Sequence, residues 1–169
     1  NNPASFRYYL QQKVAQKIPP REFHYLQGDA LQPLEECYRY SQLLQKNAID
    51  VCLLGLGHNG HLAFNEPTVA NFADSYLVKL VKLEEITRQQ QVGSSSFTHL
   101  EDVPQYAYTM TIPGICLAKQ IFCLVSGKHK AKIVNQMLTS PIDVSCPASI
   151  LRKQQQATLF LDRDSASLL

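Results

Sequence analysis

Residues 55–67 read GLGHNGHLAFNEP, a stretch that gathers side chains able to do chemistry: two histidines, an amide and a carboxylate, spaced by glycines. Three chemistries can be weighed on it. Gly55-x-Gly57-x-x-Gly60 has the glycine spacing of a dinucleotide-binding turn, which needs a helix to open at its last glycine. Here His61-Leu62-Ala63-Phe64 runs into Asn65-Glu66-Pro67, and the proline soon ends any helix, so no nicotinamide or flavin cofactor is expected. His58 and His61, with Glu66 beyond, are of the types that ligate metals. The turn-forming Asn59-Gly60 between them leaves no defined ligand geometry, and no metal is expected. In the third reading His61 moves protons near neutral pH, for instance at a sugar ring oxygen, while Asn59 and Glu66 fix its tautomer and orientation. Against it stands a plain loop, in which Asn59 and Gly60 supply left-handed turn geometry and His61 and Glu66 satisfy backbone groups. Pattern alone leaves these two level.

The elements that must position this loop follow from apolar periodicity. Residues 49–56, IDVCLLGL, are apolar almost throughout, as in a central strand buried on both faces, and they run straight into Gly57. In open α/β sheets ligands bind beyond the carboxyl ends of strands, which is where the loop falls. Further strands are expected at residues 23–26, 76–81, 105–111, 120–125 and 157–161. Helices are expected at 6–14, 30–45, 84–91, 128–138 and 165–169. In the 30–45 helix, Leu31, Leu34, Tyr38 and Leu44 fall near one face and read as its packing stripe, with Glu35, Arg39 and Gln42 toward water. Residues 89–101 read as the least structured stretch, either a mobile loop over a site or an ordinary surface loop. The alternation of helix and strand predicts an α/β fold with a largely parallel sheet.

Composition narrows the function classes. With 169 residues, 45% hydrophobic and 18% charged, the chain can bury a core and is expected to form a single domain over 1–169. Its 16 basic and 14 acidic residues give a net charge of +2 and are scattered, so no nucleic-acid partner is expected. The apolar runs fall short of the roughly 20 residues that a membrane-spanning helix needs. Five cysteines without a Cys-x-x-Cys pair read as reduced core residues of a cytoplasmic protein. His24, His99 and His129 have no partner pattern and read as surface or structural histidines. The start, Asn1-Asn2-Pro3-Ala4-Ser5, is neither a signal peptide nor an initiating methionine, so the chain is expected to begin inside a longer protein.

GLGHNGHLAFNEP resembles the signature of the glucosamine-6-phosphate deaminase/isomerase family, G-x-G-x-[DN]-G-H-[IL]-[AG]-F-N-E-P. The related 6-phosphogluconolactonases keep the first part but continue without Asn-Glu-Pro, so Asn65-Glu66-Pro67 favours the deaminase side. Similarity extends through Pro3-Ala4-Ser5-Phe6, Val103-Pro104-Gln105-Tyr106-Ala107, the stretch Val125-Ser126-Gly127-Lys128-His129-Lys130-Ala131 and Pro147-Ala148-Ser149-Ile150-Leu151. The resemblance implies a Rossmann-like three-layer α/β sandwich acting on a sugar phosphate without metal or organic cofactor. It places the ring-opening histidine at His61, its carboxylate partner at Glu66 and the residue completing the relay at Asn59. It also puts the phosphate-binding lysine at Lys130, beside a helix start that favours anions, and a backbone approach to the sugar at Gly55. The implied reaction is aldose–ketose isomerisation with release of ammonia, in amino sugar catabolism.

Two departures qualify that implication. The family's lid arginine would fall near Val92-Gly93-Ser94, where there is none; Arg88 is nearest but aligns with a neighbouring arginine that does not touch the phosphate. The family also opens with a Gly-x-Thr-Pro phosphate loop and an Asp-Glu pair whose aspartate moves the C1/C2 proton, and both are expected upstream of Asn1. The alternatives are a lactonase or non-deaminating isomerase of the same superfamily, a catalytically silent sugar-phosphate sensor, and a metal-dependent hydrolase centred on His58 and His61. The choice of gluco- or galacto-configured sugar is not legible in the sequence, nor is self-association into a homo-oligomer.

Overall fold

A computed structural model describes residues 3, 5–92 and 97–169. Along the chain lie α1 (Phe6–Leu10), α2 (Pro33–Lys46), β1 (Val51–Gly55), β2 (Val78–Lys82) and α3 (Glu85–Gln91). They are followed by β3 (Tyr106–Met110), α4 (Ile112–Cys116), β4 (Gln120–Val125), α5 (Ala131–Thr139) and β5 (Ala157–Leu161). The chain divides into two compact units, Asn1–Tyr40 with Leu80–Tyr108 and Ser41–Lys79 with Thr109–Leu169.

The second unit carries the expected parallel sheet, in the order β1-β4-β5. Gly55 lies opposite Leu124, and Leu124 opposite Phe160. Ile121, Cys123 and Val125 of β4 alternate into the core, where they join Val134 and Met137 of α5. Each such side chain contributes about 1.5–3 kcal/mol on burial. The central strand is therefore β4. The expectation that residues 49–56 form a central strand buried on both faces is corrected: β1 is at the sheet edge, with Val51 46% and Leu53 70% exposed. Only Cys52 and Leu54 pack against the core, because one face of β1 meets the core while the other meets solvent.

β2 and β3 pair with each other, apart from the parallel sheet. Flanking bonds run from Thr111 N–H to Leu77 O and from Leu83 N–H to Gln105 O, so numbering rises on one strand as it falls on the other, the antiparallel sense. Thr111 then caps α4. Its hydroxyl accepts from Gly114 N–H at 3.1 Å and donates to Tyr76 O at 2.6 Å. A Cβ on Gly114 would come within 2.7 Å of Leu77 O, so glycine is what lets this helix start lie so close to the strand entry. α4 itself was not expected, being only five residues long.

In the first unit Ser5 caps α1 by accepting Tyr8 N–H at 3.1 Å, and the helix continues as a π-type turn over Gln11–Ala15. α2 opens on Pro33 with Glu35 and Glu36 in its first turn, as dipole and φ preferences favour. Its expected packing stripe is not where apolarity put it. Leu31, Leu34 and Tyr38 are 96%, 77% and 68% exposed, while Glu36 and Cys37 are buried. The Glu36 carboxylate accepts two N–H groups of Arg39 at 2.6 and 2.7 Å and the Gln27 N–H at 2.7 Å, and Arg39 donates onward to Tyr25 O at 3.0 Å. Residues 23–26 are correspondingly not a strand. Side-chain bonds from α2 satisfy this segment's backbone where a strand partner would otherwise do so. Residues 165–169 are turns, not a helix: Ser165 N–H bonds Asp162 Oδ1 at 2.7 Å and the Ser165 hydroxyl donates to Val125 O at 3.0 Å.

Of the stretch read as least structured, α3 reaches Gln91 and a 3-10 turn covers Leu100–Asp102, while residues 93–96 lie outside the described residues. Among the described residues no helix is long and apolar enough to cross a membrane. All five cysteines are unpaired; Cys37, Cys123 and Cys146 are buried. Burial pushes the Cys123 thiol up to about 11, which keeps it protonated and unreactive.

Candidate active site

The loop after β1 is closed by its own backbone. Gly57 N–H bonds His61 O at 2.9 Å and Gly60 N–H bonds Gly57 O at 3.2 Å. Gly60 takes φ +83°, and a Cβ there would sit 2.7 Å from Cys146 Sγ, so both conformation and space call for glycine. Its carbonyl accepts Ala148 N–H at 2.8 Å, which ties the loop to the segment before β5. At Gly57 a Cβ would fall 2.3 Å from His61 ring atoms, so the imidazole lies directly over a bare α-carbon.

That imidazole is oriented by Asn59. The Asn59 Oδ1 accepts His61 backbone N–H at 3.2 Å and lies 2.8 Å from His61 Nδ1. A backbone N–H can only donate, which identifies the amide atom as oxygen; an amide oxygen can only accept, so Nδ1 carries the ring proton. Neutral His61 is then the tautomer whose Nε2 has the lone pair, the form that takes a proton at that nitrogen.

Beyond His61 the motif turns back on itself. Leu62 and Asn65 are fully buried, and Ala63 accepts φ +52°. Asn65 Nδ2 donates to Leu62 O at 2.8 Å and Met110 O at 2.7 Å, and Phe64 N–H donates to Thr109 Oγ1 at 3.1 Å. Asn65 and Thr109 thus moor the loop to the end of β3. Glu66 follows, 1% exposed, its carbonyl accepting Val69 and Ala70 N–H at 2.9 and 2.7 Å.

Lys130 reaches the same place from the start of α5. Its half-buried ammonium donates to Leu56 O at 2.7 Å, one residue before the loop, and burial draws its pKa below the usual lysine range. Just upstream of Lys130, the Gly127 N–H donates to both oxygens of Asp162 at 3.0 and 3.2 Å. At Gly55 a Cβ would meet only Leu124 O at 3.9 Å, an ordinary contact, so packing alone does not require glycine there.

The structure therefore brings His61, Asn59 and Lys130 to the carboxyl end of β1, with Glu66 buried a few residues along the same loop. It places Arg88 in the other unit, where its guanidinium donates to Leu100 O at 2.8 Å and Val103 O at 3.0 Å in a structural role. His99 and His129 are exposed, and His24 pairs with Glu22 at 3.2 Å on the surface. Among the described residues no group of three or more His, Cys, Asp or Glu could hold a metal ion. The mooring by Thr109, Cys146 and Ala148 escaped sequence reasoning; no local signal pairs residues so far apart in the chain.

A parallel α/β sheet places this histidine-bearing loop at the carboxyl end of a strand, the position where α/β proteins of this class bind ligands. The family model described as glucosamine-6-phosphate isomerases/6-phosphogluconolactonase matches residues 1–160, and the chain belongs to that family. It is 38% identical over 169 residues to the glucosamine-6-phosphate deaminase of Listeria monocytogenes serotype 4a (strain HCC23), covering 100% of this chain and 70% of that protein. The deaminase of Exiguobacterium sibiricum is 37% identical, with 100% and 65% covered. Among solved structures, a monomeric glucosamine-6-phosphate deaminase superposes with a TM-score of 0.92 at 36% identity, covering 100% of this chain and 69% of that one. The 6-phosphogluconolactonase of Trypanosoma brucei shares the fold, with a TM-score of 0.58 at 19% identity over 80% of this chain and 53% of its own.

Proposed function

We propose that this chain carries the ring-opening half of an aminosugar-6-phosphate deaminase/isomerase site, within one sugar-phosphate domain that includes residues 1–169. The observation that carries the reading is 38% identity over all 169 residues of this chain to a glucosamine-6-phosphate deaminase, 70% of whose length is covered. The loop geometry supports it chemically. His61, with Nδ1–H held on Asn59, exchanges a proton at the sugar ring oxygen through Nε2, and the buried Glu66 carboxylate favours the transient imidazolium. Lys130 attracts the substrate phosphate, and the missing side chain at Gly55 leaves room for the sugar beside the strand end. The opened aldehyde form then isomerises through an enolamine, and protonation at C1 with hydrolysis of the C2–N bond releases ammonia and a ketose 6-phosphate. The base for the C2 proton is the aspartate that the family resemblance places upstream of Asn1. A reducing, cytoplasmic setting belongs to the same proposal, supported by the five free thiols.

The test is ammonia release from glucosamine 6-phosphate and galactosamine 6-phosphate by the full-length gene product, beside His61→Ala. Ammonia and ketose 6-phosphate are expected from one of the sugars, with kcat reduced by roughly two orders of magnitude or more in the variant. Tight binding of both sugars with no ammonia would overturn the deaminase reading in favour of a sensor or a non-deaminating isomerase.

A further inference from the structure

The turn between His61 and Glu66 holds a backbone conformation that its own sequence does not favour. Asn65 N–H bonds Leu62 O at 3.0 Å, closing a four-residue turn whose second residue, Ala63, sits at φ +52°. That place in a turn, at positive φ, ordinarily takes glycine, asparagine or aspartate, because a Cβ crowds the backbone there. Among the described residues Ala63 is the one non-glycine residue at positive φ. It is exposed, so packing of its methyl group does not hold it there. A strained residue persists where its surroundings over-determine it, and the surroundings here converge on one hydroxyl. Thr109, 1% exposed, accepts Phe64 N–H, the amide next to Ala63, at 3.1 Å and Asn65 Nδ2 at 3.3 Å, and donates to Met110 O at 3.0 Å. A hydroxyl has one proton and two lone pairs, so its whole hydrogen-bonding capacity goes to this turn and to the strand end that carries it.

We propose that Thr109 is a positioning residue for His61 and Glu66: its hydroxyl clamps the Ala63–Phe64 peptide in the left-handed turn, and the turn sets where the carboxylate stands relative to the imidazole. This rests on the reading of those two residues as the ring-opening pair. Being buried, the hydroxyl need not touch the sugar. Valine has the shape of threonine without the bonds; with it Ala63 relaxes toward negative φ, which swings the following chain and Glu66 with it. Serine keeps the bonds. Lys130 and Gly55 lie outside the turn, so substrate binding is little changed while proton transfer slows.

The experiment is ammonia-release kinetics on the full-length gene product, comparing wild type, Thr109→Val, Thr109→Ser and Thr109→Val combined with Ala63→Gly, with thermal unfolding alongside. In Thr109→Val kcat is expected to fall about ten- to a hundredfold with KM changed by less than about twofold, while Thr109→Ser stays within about threefold of wild type in both. Adding Ala63→Gly to Thr109→Val recovers at least about threefold in kcat, because glycine takes positive φ without a clamp. Where Thr109→Val does not fold, Thr109→Ala replaces it, since the smaller side chain leaves room for a water beside the Phe64 N–H. A Thr109→Val protein that unfolds at lower temperature yet keeps its kcat overturns the proposal, because the hydroxyl then supports the fold alone. A serine variant as slow as the valine variant overturns it too, as does a double variant no faster than Thr109→Val. A wild type that releases no ammonia removes the deaminase reading and this role with it, whereas an active wild type beside an equally active Thr109→Val removes the role alone.

Discussion

At the scale of single residues the site is built by what is left out as much as by what is present. Gly57 is the clearest case, since a methyl group there would overlap the His61 ring at 2.3–2.4 Å, a separation no real Cβ contact shows. The backbone at Gly57 is not in the left-handed region, and the obstructing atoms belong to a side chain that can swing away. Gly57→Ala is therefore expected to fold, with a melting temperature within a few degrees of wild type, and to lose about two orders of magnitude in kcat because the imidazole leaves Asn59. Circular dichroism melting beside ammonia release checks both halves. A variant of undiminished kcat would mean that the ring position is not held by this contact. Much of this was legible in the sequence, because the groups that orient His61 lie within a few positions of it and the glycines announce the turn. The supports were not. Phe64 bonds a threonine 45 positions away, and Gly60 rests on Cys146, distances over which residue type carries no pairing information.

At the scale of elements, strand composition reads well where burial follows it: β4 and β5 begin and end where their apolar runs do. It misleads where a polar pair replaces apolar packing. The apolar stripe expected over Leu31, Leu34 and Tyr38 faces solvent, while α2 buries Glu36 beside Cys37, because two of the carboxylate's partners lie on Arg39 and a third is the Gln27 backbone. No periodicity scale credits a buried carboxylate, so sequence could not choose this face. The energetics are testable through pH. Arg39 beside it holds the Glu36 carboxyl below its ordinary 4.5 in the folded chain. A carboxylate with a lowered folded pKa stabilises fully above the unfolded value and loses that contribution as pH falls through the folded one, so the loss lies below about pH 4.5. Glu36→Gln keeps the shape but not the charge. It is expected to lower stability at neutral pH by about 1.5–3 kcal/mol and to flatten the acid side of the stability curve. Urea unfolding between pH 7 and pH 3.5 measures it, and parallel curves for the two proteins would show that the pair contributes nothing through charge.

At the scale of the whole molecule, the parallel sheet has one face in the core and one turned outward. Parallel sheets are ordinarily covered on both faces, because their strands are apolar on both. Here Leu53, Leu124 and Phe160 are 70%, 55% and 50% exposed. Leu124 and Phe160 are direct neighbours across β4 and β5, with Phe122 and Phe160 in edge contact at 5.7 Å, so these side chains form one patch. As a 169-residue polypeptide the chain presents the face to solvent. A net charge of only +2 supplies little repulsion to keep copies apart, and β1 and β5 are the outer strands of the three-stranded sheet, open to pairing. This polypeptide is therefore expected to self-associate as its concentration rises through the micromolar range. The double substitution Leu53→Lys and Phe160→Lys places two charges on the patch without touching the buried side of either strand. It is expected to shift sedimentation velocity profiles toward the monomer while leaving the far-ultraviolet circular dichroism unchanged. Equal association in the two proteins would place the contact elsewhere, with Leu34 and Tyr38 of α2 next to be tested, because both are large and exposed.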